Sequence, residues 1–78
     1  MKITIYSTPT CTYCKMAKEF LTENNVVFED INVAADVTKR KEMIEKSGQL
    51  GVPVIDVDGQ IMVGYDRTTL AEKVGLTA

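Results

Sequence analysis

A chain of 78 residues has room for one small hydrophobic core and excludes a second. Hydrophobic residues make up 45% and charged residues 26%, the balance of a water-soluble globular protein, which excludes extended disorder. At a net charge of −2 the one basic run, Lys39-Arg40-Lys41, is followed closely by Glu42 and Glu45, so it reads as a solvated helix face and no nucleic-acid surface is expected. No apolar stretch approaches the ~20 residues of a membrane span. The N-terminus also lacks the apolar core and cleavage site of a signal peptide. The expected location is therefore cytoplasmic, where a permanent disulfide is disfavoured.

The first segment, Met1-Lys2-Ile3-Thr4-Ile5-Tyr6, alternates as a strand does. The strand itself is placed over Ile3-Thr4-Ile5-Tyr6-Ser7 and closed by Pro9. Thr10 is expected to cap a helix from about Cys11 to Glu23, with Cys14, Ala17, Phe20 and Leu21 as its apolar stripe and Asn24-Asn25 at its end. Val26 to Asn32 reads as the next strand. Asp36 is the expected cap of a second helix through Lys46, which carries Met43 and Ile44 and has Gly48 just past its end. Val52 to Val57 and Gln60 to Val63 flank Asp58-Gly59, a dipeptide that accepts positive φ and marks a β-hairpin. Asp66 to Val74 forms a final helix, capped by Asp66 and closed by Gly75.

The resulting order, β-α-β-α-β-β-α, predicts an α/β domain over residues 1–78 without repeats or linkers. Its β-α-β unit implies two parallel strands joined by a right-handed crossover. The hairpin then completes a four-stranded mixed sheet flanked by helices on both faces.

Chemistry concentrates in Cys11-Thr12-Tyr13-Cys14, which holds both cysteines of the chain. As a staple, a loop this short removes only about 2 kcal/mol from the unfolded state, against ~4.7 for a 100-residue loop. A structural zinc site takes four ligands, and the chain has no histidine and no further cysteine. A redox pair fits the spacing best, with a metal or cluster site and inert thiols as the alternatives. Cys11 falls at a helix N-terminus, where unpaired backbone N–H groups and the macrodipole favour an anion. It is the expected nucleophile, with Lys15 and Lys18 as possible sources of positive potential. Cys14 shares the inward stripe with Ala17 and Leu21, so it should be less accessible, near its ordinary pKa, and suited to resolving a mixed disulfide. The lack of histidine leaves no evident acid–base pair for hydrolysis.

Several segments together carry a family resemblance. They are Ile5-Tyr6-Ser7-Thr8-Pro9-Thr10 running into the cysteine motif, Gly51-Val52-Pro53-Val54-Ile55, the Asp58-Gly59 hairpin, and Val63-Gly64-Tyr65-Asp66. Over essentially its whole length the chain resembles the glutaredoxins, within the thioredoxin fold. The resemblance implies a monomeric thiol–disulfide oxidoreductase with no tightly bound cofactor. It would reduce protein or glutathione mixed disulfides and be re-reduced by glutathione. It further implies a cis Val52–Pro53 bond beside the cysteines, with the Val52 backbone pairing with glutathione or a substrate peptide as an added strand would. Thr8, Tyr13, Val52, Pro53, Gly64, Tyr65 and Asp66 become the implied substrate and glutathione contacts around Cys11 and Cys14.

Three positions depart from the common glutaredoxin pattern. Thr12 stands where many members have proline. Thr8 replaces a lysine that meets a glutathione carboxylate, and Gly64-Tyr65-Asp66-Arg67 replaces a Gly-Gly turn whose following residues hold the γ-glutamyl end. An aromatic after that glycine is similar to redoxins that serve ribonucleotide reductase and draw electrons from thioredoxin reductase. Asp66 and Arg67 are either γ-glutamyl contacts or a helix cap and a solvated first-turn residue. Tyr65 is either a site residue or core packing. Two rivals lie outside reductase chemistry: an iron–sulfur cluster carrier, for which Thr12 leaves room, and a binding module that keeps the fold as a scaffold.

Overall fold

The computed structural model describes residues 2–48 and 51–75. Its elements are β1 (Ile3–Ser7), α1 (Thr12–Glu23), β2 (Glu29–Asn32), α2 (Val37–Ser47), β3 (Val54–Val57), β4 (Gln60–Val63) and α3 (Arg67–Lys73), in the order expected from the sequence. The sheet runs β2-β1-β3-β4, with β1 and β2 parallel and the β1–β3 and β3–β4 pairs antiparallel.

Being central and covered by helices on both faces, β1 is buried at all five positions, which replaces the half-exposed alternation read from its sequence. Ile3 and Ile5 join Ala17, Phe20 and Leu21 of α1 and Leu70 of α3 on one face. On the other face Tyr6 and Val54 pack with Val33 and with Met43 of α2. This is the expected arrangement of helices on both sides of a mixed sheet.

Three boundaries differ from the sequence reading, each for a local reason. Cys11, not Thr10, caps α1: its backbone is extended (φ −87°, ψ 114°) and its sulfur accepts the Cys14 N–H. β2 begins at Glu29 instead of Val26. Asn25 turns into positive φ and the Val26 N–H is spent on the Leu21 carbonyl at the end of α1, 2.9 Å away. β3 begins at Val54 instead of Val52, because Pro53 has no N–H to give a ladder. The other punctuation is as expected. Asp36 caps α2 through Lys39 N–H, Gly48 closes it in the left-handed region, and Asp66 caps α3. Asp58 (φ 50°) and Gly59 (φ 90°) both take the positive φ that a two-residue hairpin loop demands.

The face under α2 also carries a polar network. The Tyr6 hydroxyl donates to Glu42 Oε2 (2.8 Å), while Lys46 Nζ donates to the Tyr6 oxygen and to Asp56 Oδ2, both at 3.1 Å. The hydrogen bond to Tyr6 and then that to Asp56 hold the Lys46 ammonium above the ordinary lysine range, and the Tyr6 hydrogen bond lowers Glu42. Every member of this network is bound to another, so it acts as a tie between α2 and the sheet.

Candidate active site

The end of β1 delivers the chain into a turn in which Cys11 N–H donates to the Thr8 carbonyl at 3.3 Å. Helix α1 starts immediately after Cys11, its N-cap, and its first backbone N–H groups have no partner inside the helix. One of them, Cys14 N–H, reaches Cys11 Sγ at 3.2 Å. The Cys11 S–H in turn lies 3.8 Å from the Val52 carbonyl, on the segment that precedes β3. The Val52–Pro53 bond is cis, as the resemblance implied. Cys11 is half-buried and both thiols are free. The sulfur thus meets a donor on one side and a backbone acceptor on the other, an arrangement that accommodates both thiolate and thiol.

Cys14 differs sharply from Cys11. Its side chain is 0% exposed. Its thiol, ordinarily near 9.0, is pushed up to about 12, chiefly by burial and further by the hydrogen-bonded Cys11, while the Thr8 backbone and the Lys18 ammonium oppose the rise. The sequence reading left this thiol near its ordinary value. Complete enclosure of the stripe position in the core accounts for the difference.

A pH dependence follows. Between the ordinary thiol value of 9.0 and about 12, the folded chain keeps the Cys14 proton while the unfolded chain releases it. The associated stability is fully present below the unfolded value and is lost as pH rises toward the folded one. Urea denaturation of the reduced protein should show a midpoint that falls as pH rises from about 9 toward 12, and Cys14→Ala should flatten that fall. Equal slopes in the two proteins would refute it.

The implied contacts do not all gather at Cys11. Val52 does, through its carbonyl, and Thr8 does, through its backbone. The Gly64 N–H (φ 80°) donates to the Pro53 carbonyl at 2.8 Å, joining that turn to the same segment. Tyr13 lies on the first turn of α1 with 62% of its surface exposed. Tyr65, by contrast, packs against the core, its ring 6.4 Å from that of Phe20. The Arg67 guanidinium lies over the same Phe20 ring, 5.6 Å from its centroid. Asp66 Oδ1 accepts from the N–H groups of Thr68 and Thr69, so one of its oxygens is committed to the α3 cap.

One residue escaped the sequence reading. Arg40, taken with Lys39 and Lys41 as a solvated face, is exposed but also lines a cavity of about 220 Å³ with Thr8, Val33, Ala34, Met43 and Val52. No periodicity could have singled it out, because the neighbours that matter come from the turn after β1 and from the segment before β3. Among the described residues, no group of three or more His, Cys, Asp or Glu is placed to hold a metal ion, and no helix is long and apolar enough to cross a membrane.

Comparison with known proteins adds a second line of support. The glutaredoxin family model matches residues 3–62. A glutaredoxin-like 8.6 kDa protein in the rubredoxin operon of Clostridium pasteurianum is 52% identical over 68 residues, covering 87% of this chain and 91% of that protein. Glutaredoxin 3 of Escherichia coli (strain K12) is 39% identical over 64 residues, covering 82% and 77% respectively. Among solved structures, a variant of the thioredoxin-like protein BC3987 superposes with a TM-score of 0.91 at 28% identity, covering 96% of each chain. NrdH-redoxin from Escherichia coli, described as a glutaredoxin-like protein with a thioredoxin-like activity profile, superposes with a TM-score of 0.79 at 26% identity. That match covers 92% of this chain and 93% of that one.

Proposed function

The chain belongs to the glutaredoxin family of thiol–disulfide oxidoreductases, and from that premise we propose a dithiol cycle, linked to glutathione, in which Cys11 attacks and Cys14 resolves. Cys11 thiolate attacks one sulfur of a protein or glutathione mixed disulfide, forms a bond to it and expels the other sulfur as a thiolate, which takes up a proton. Cys14 then gives up its proton and attacks the Cys11 sulfur. The Cys11–Cys14 bond forms, the substrate thiolate leaves, and it is protonated in turn. Two electrons have passed from the dithiol to the substrate. Two glutathione molecules return them: the first opens the bond to leave Cys11 glutathionylated and Cys14 as a thiol, and the second leaves with the first as glutathione disulfide.

The partition of roles is supported by the contrast between a half-buried Cys11 and a fully enclosed Cys14. The glutathione link is carried by the cavity beside Val52. Arg40 supplies there a cation suited to a glycyl carboxylate, on the side where Thr8 has no charge to offer. Tyr13, Pro53 and Gly64 complete the surface along which an extended tripeptide would lie, and Asp66 retains one oxygen for an ammonium. We assign the enzyme to the cytoplasm as a monomer without a tightly held cofactor.

A second reading is favoured by the packing of Tyr65 into the core and by the likeness to NrdH-redoxin. In it the redoxin is reduced by thioredoxin reductase and serves ribonucleotide reductase. Comparing the rates at which glutathione with glutathione reductase, and NADPH with thioredoxin reductase, reduce the oxidised protein decides between them. The glutathione system should be faster, and Arg40→Ala should raise KM for a glutathione mixed disulfide up to about fivefold with little change in kcat, the loss expected for an exposed ion pair. Faster reduction by thioredoxin reductase would establish the second reading. Anaerobic reconstitution with iron and sulfide separates both from a cluster carrier, which would dimerise and absorb visible light.

A further inference from the structure

The resolving step asks a fully enclosed thiol to give up a proton, and of the groups described so far only the Thr8 backbone and the Lys18 ammonium favour its anion. One turn further along α1 is Lys18, at the i+4 position, where side chains of a helix meet. Lys18 Nζ is 3.1 Å from Asp30 Oδ2 on β2, and the second oxygen of Asp30 accepts the Ser7 hydroxyl at 2.7 Å. Ser7 is itself buried at the end of β1. The ammonium is thereby fixed along the seam between α1 and β2, with 28% of its side chain exposed, instead of waving in solvent as most surface lysines do.

We propose that Lys18, held in place by Asp30 and Ser7, is a positioning residue that stabilises the Cys14 thiolate as it attacks the mixed disulfide on Cys11. The inference rests on the dithiol roles argued above and adds a residue to them. The surroundings leave few other candidates. On α1 itself the groups bearing on Cys14 are the Cys11 thiol and Lys18, and the turn before α1 adds the uncharged Thr8 backbone. From β1 comes the uncharged Ser7, and from β2 comes Asp30, acting through Lys18. On α3, Arg67 is turned onto the Phe20 ring. Once Cys11 is tied up in the mixed disulfide, Lys18 is the remaining charge that favours the anion. The balance of the step is unchanged: Cys14 loses a proton and forms the bond to Cys11, and the departing substrate sulfur gains a proton.

Removing a charge one turn away should cut the thiolate population about tenfold. The more basic thiolate attacks faster, with a Brønsted slope of about 0.45, which returns part of the loss and leaves resolution about threefold slower. Equimolar Ellman's reagent reads both steps on the full chain. Attack by Cys11 releases one thionitrobenzoate, and attack by Cys14 on the adduct releases the second. Lys18→Met and Lys18→Gln should leave the first release within twofold and slow the second about three- to tenfold. Lys18→Arg should restore it, and Asp30→Asn should slow it less. The proposal is overturned if the neutral variants resolve at the wild-type rate, or if both releases slow in parallel. A wild-type protein that never releases the second thionitrobenzoate would overturn the resolving role of Cys14 itself, and this proposal with it.

Discussion

Replacing Cys11 by serine should abolish disulfide reduction with either electron donor, a loss of about a thousandfold or more, although Cys14 remains in place. The reason lies in how little the second thiol can do alone. With its thiol pushed up to about 12, Cys14 is thiolate in only about one molecule in 10⁵ at neutral pH. Its side chain is enclosed, so no external disulfide reaches it. The converse substitution behaves differently: Cys14→Ser should form the mixed disulfide at the normal rate and stall there until external thiol releases it. Turnover that survives in Cys11→Ser, with either glutathione or thioredoxin reductase as donor, would overturn the assignment of the nucleophile.

The second large effect is on stability. Leu21 is 0% exposed and sits on the stripe of α1 that also holds Cys14 and Ala17, against Ile3 and Ile5 of the central strand. Truncating such a leucine to alanine costs about 2–5 kcal/mol. A domain of this size has about 4–12 kcal/mol in total. Leu21→Ala should therefore lower the urea midpoint by at least about a sixth. It should also reduce activity by depopulating the folded state, not by changing KM, because α1 presents Cys11 from its cap. An unchanged midpoint would mean that this position does not anchor the helix.

The element order was legible because each element is punctuated locally. Asp36, Asp66, Gly48 and the Asp58-Gly59 pair act within a few residues of themselves, and all four do what their chemistry dictates. Misplaced boundaries arose where a distant or competing partner decided. Val26 has the branched side chain of a strand residue, yet its N–H is taken by the end of α1. Cys11 was read as the first residue of the helix, whereas its sulfur outcompetes Thr10 as the cap. The same distinction holds at the site. The unequal thiols follow from helix periodicity alone, while the approach of Val52, the inward turn of Tyr65 and the cavity of Arg40 depend on contacts between segments far apart in the chain.

The central place of β1 has a consequence for how the protein is made. This strand and the two cysteines leave the ribosome before the antiparallel partner of β1, Val54–Val57, has been made. Domains fold from the N-terminus during synthesis only as far as their contacts are available. Until β3 arrives, the nascent chain carries Cys11 without the Val52 carbonyl and Cys14 without a core to enclose it. Both are then ordinary accessible thiols, open to any oxidant they meet. The cysteine pair is thus synthesised before the segments that complete its surroundings, and its selectivity begins only when the hairpin docks.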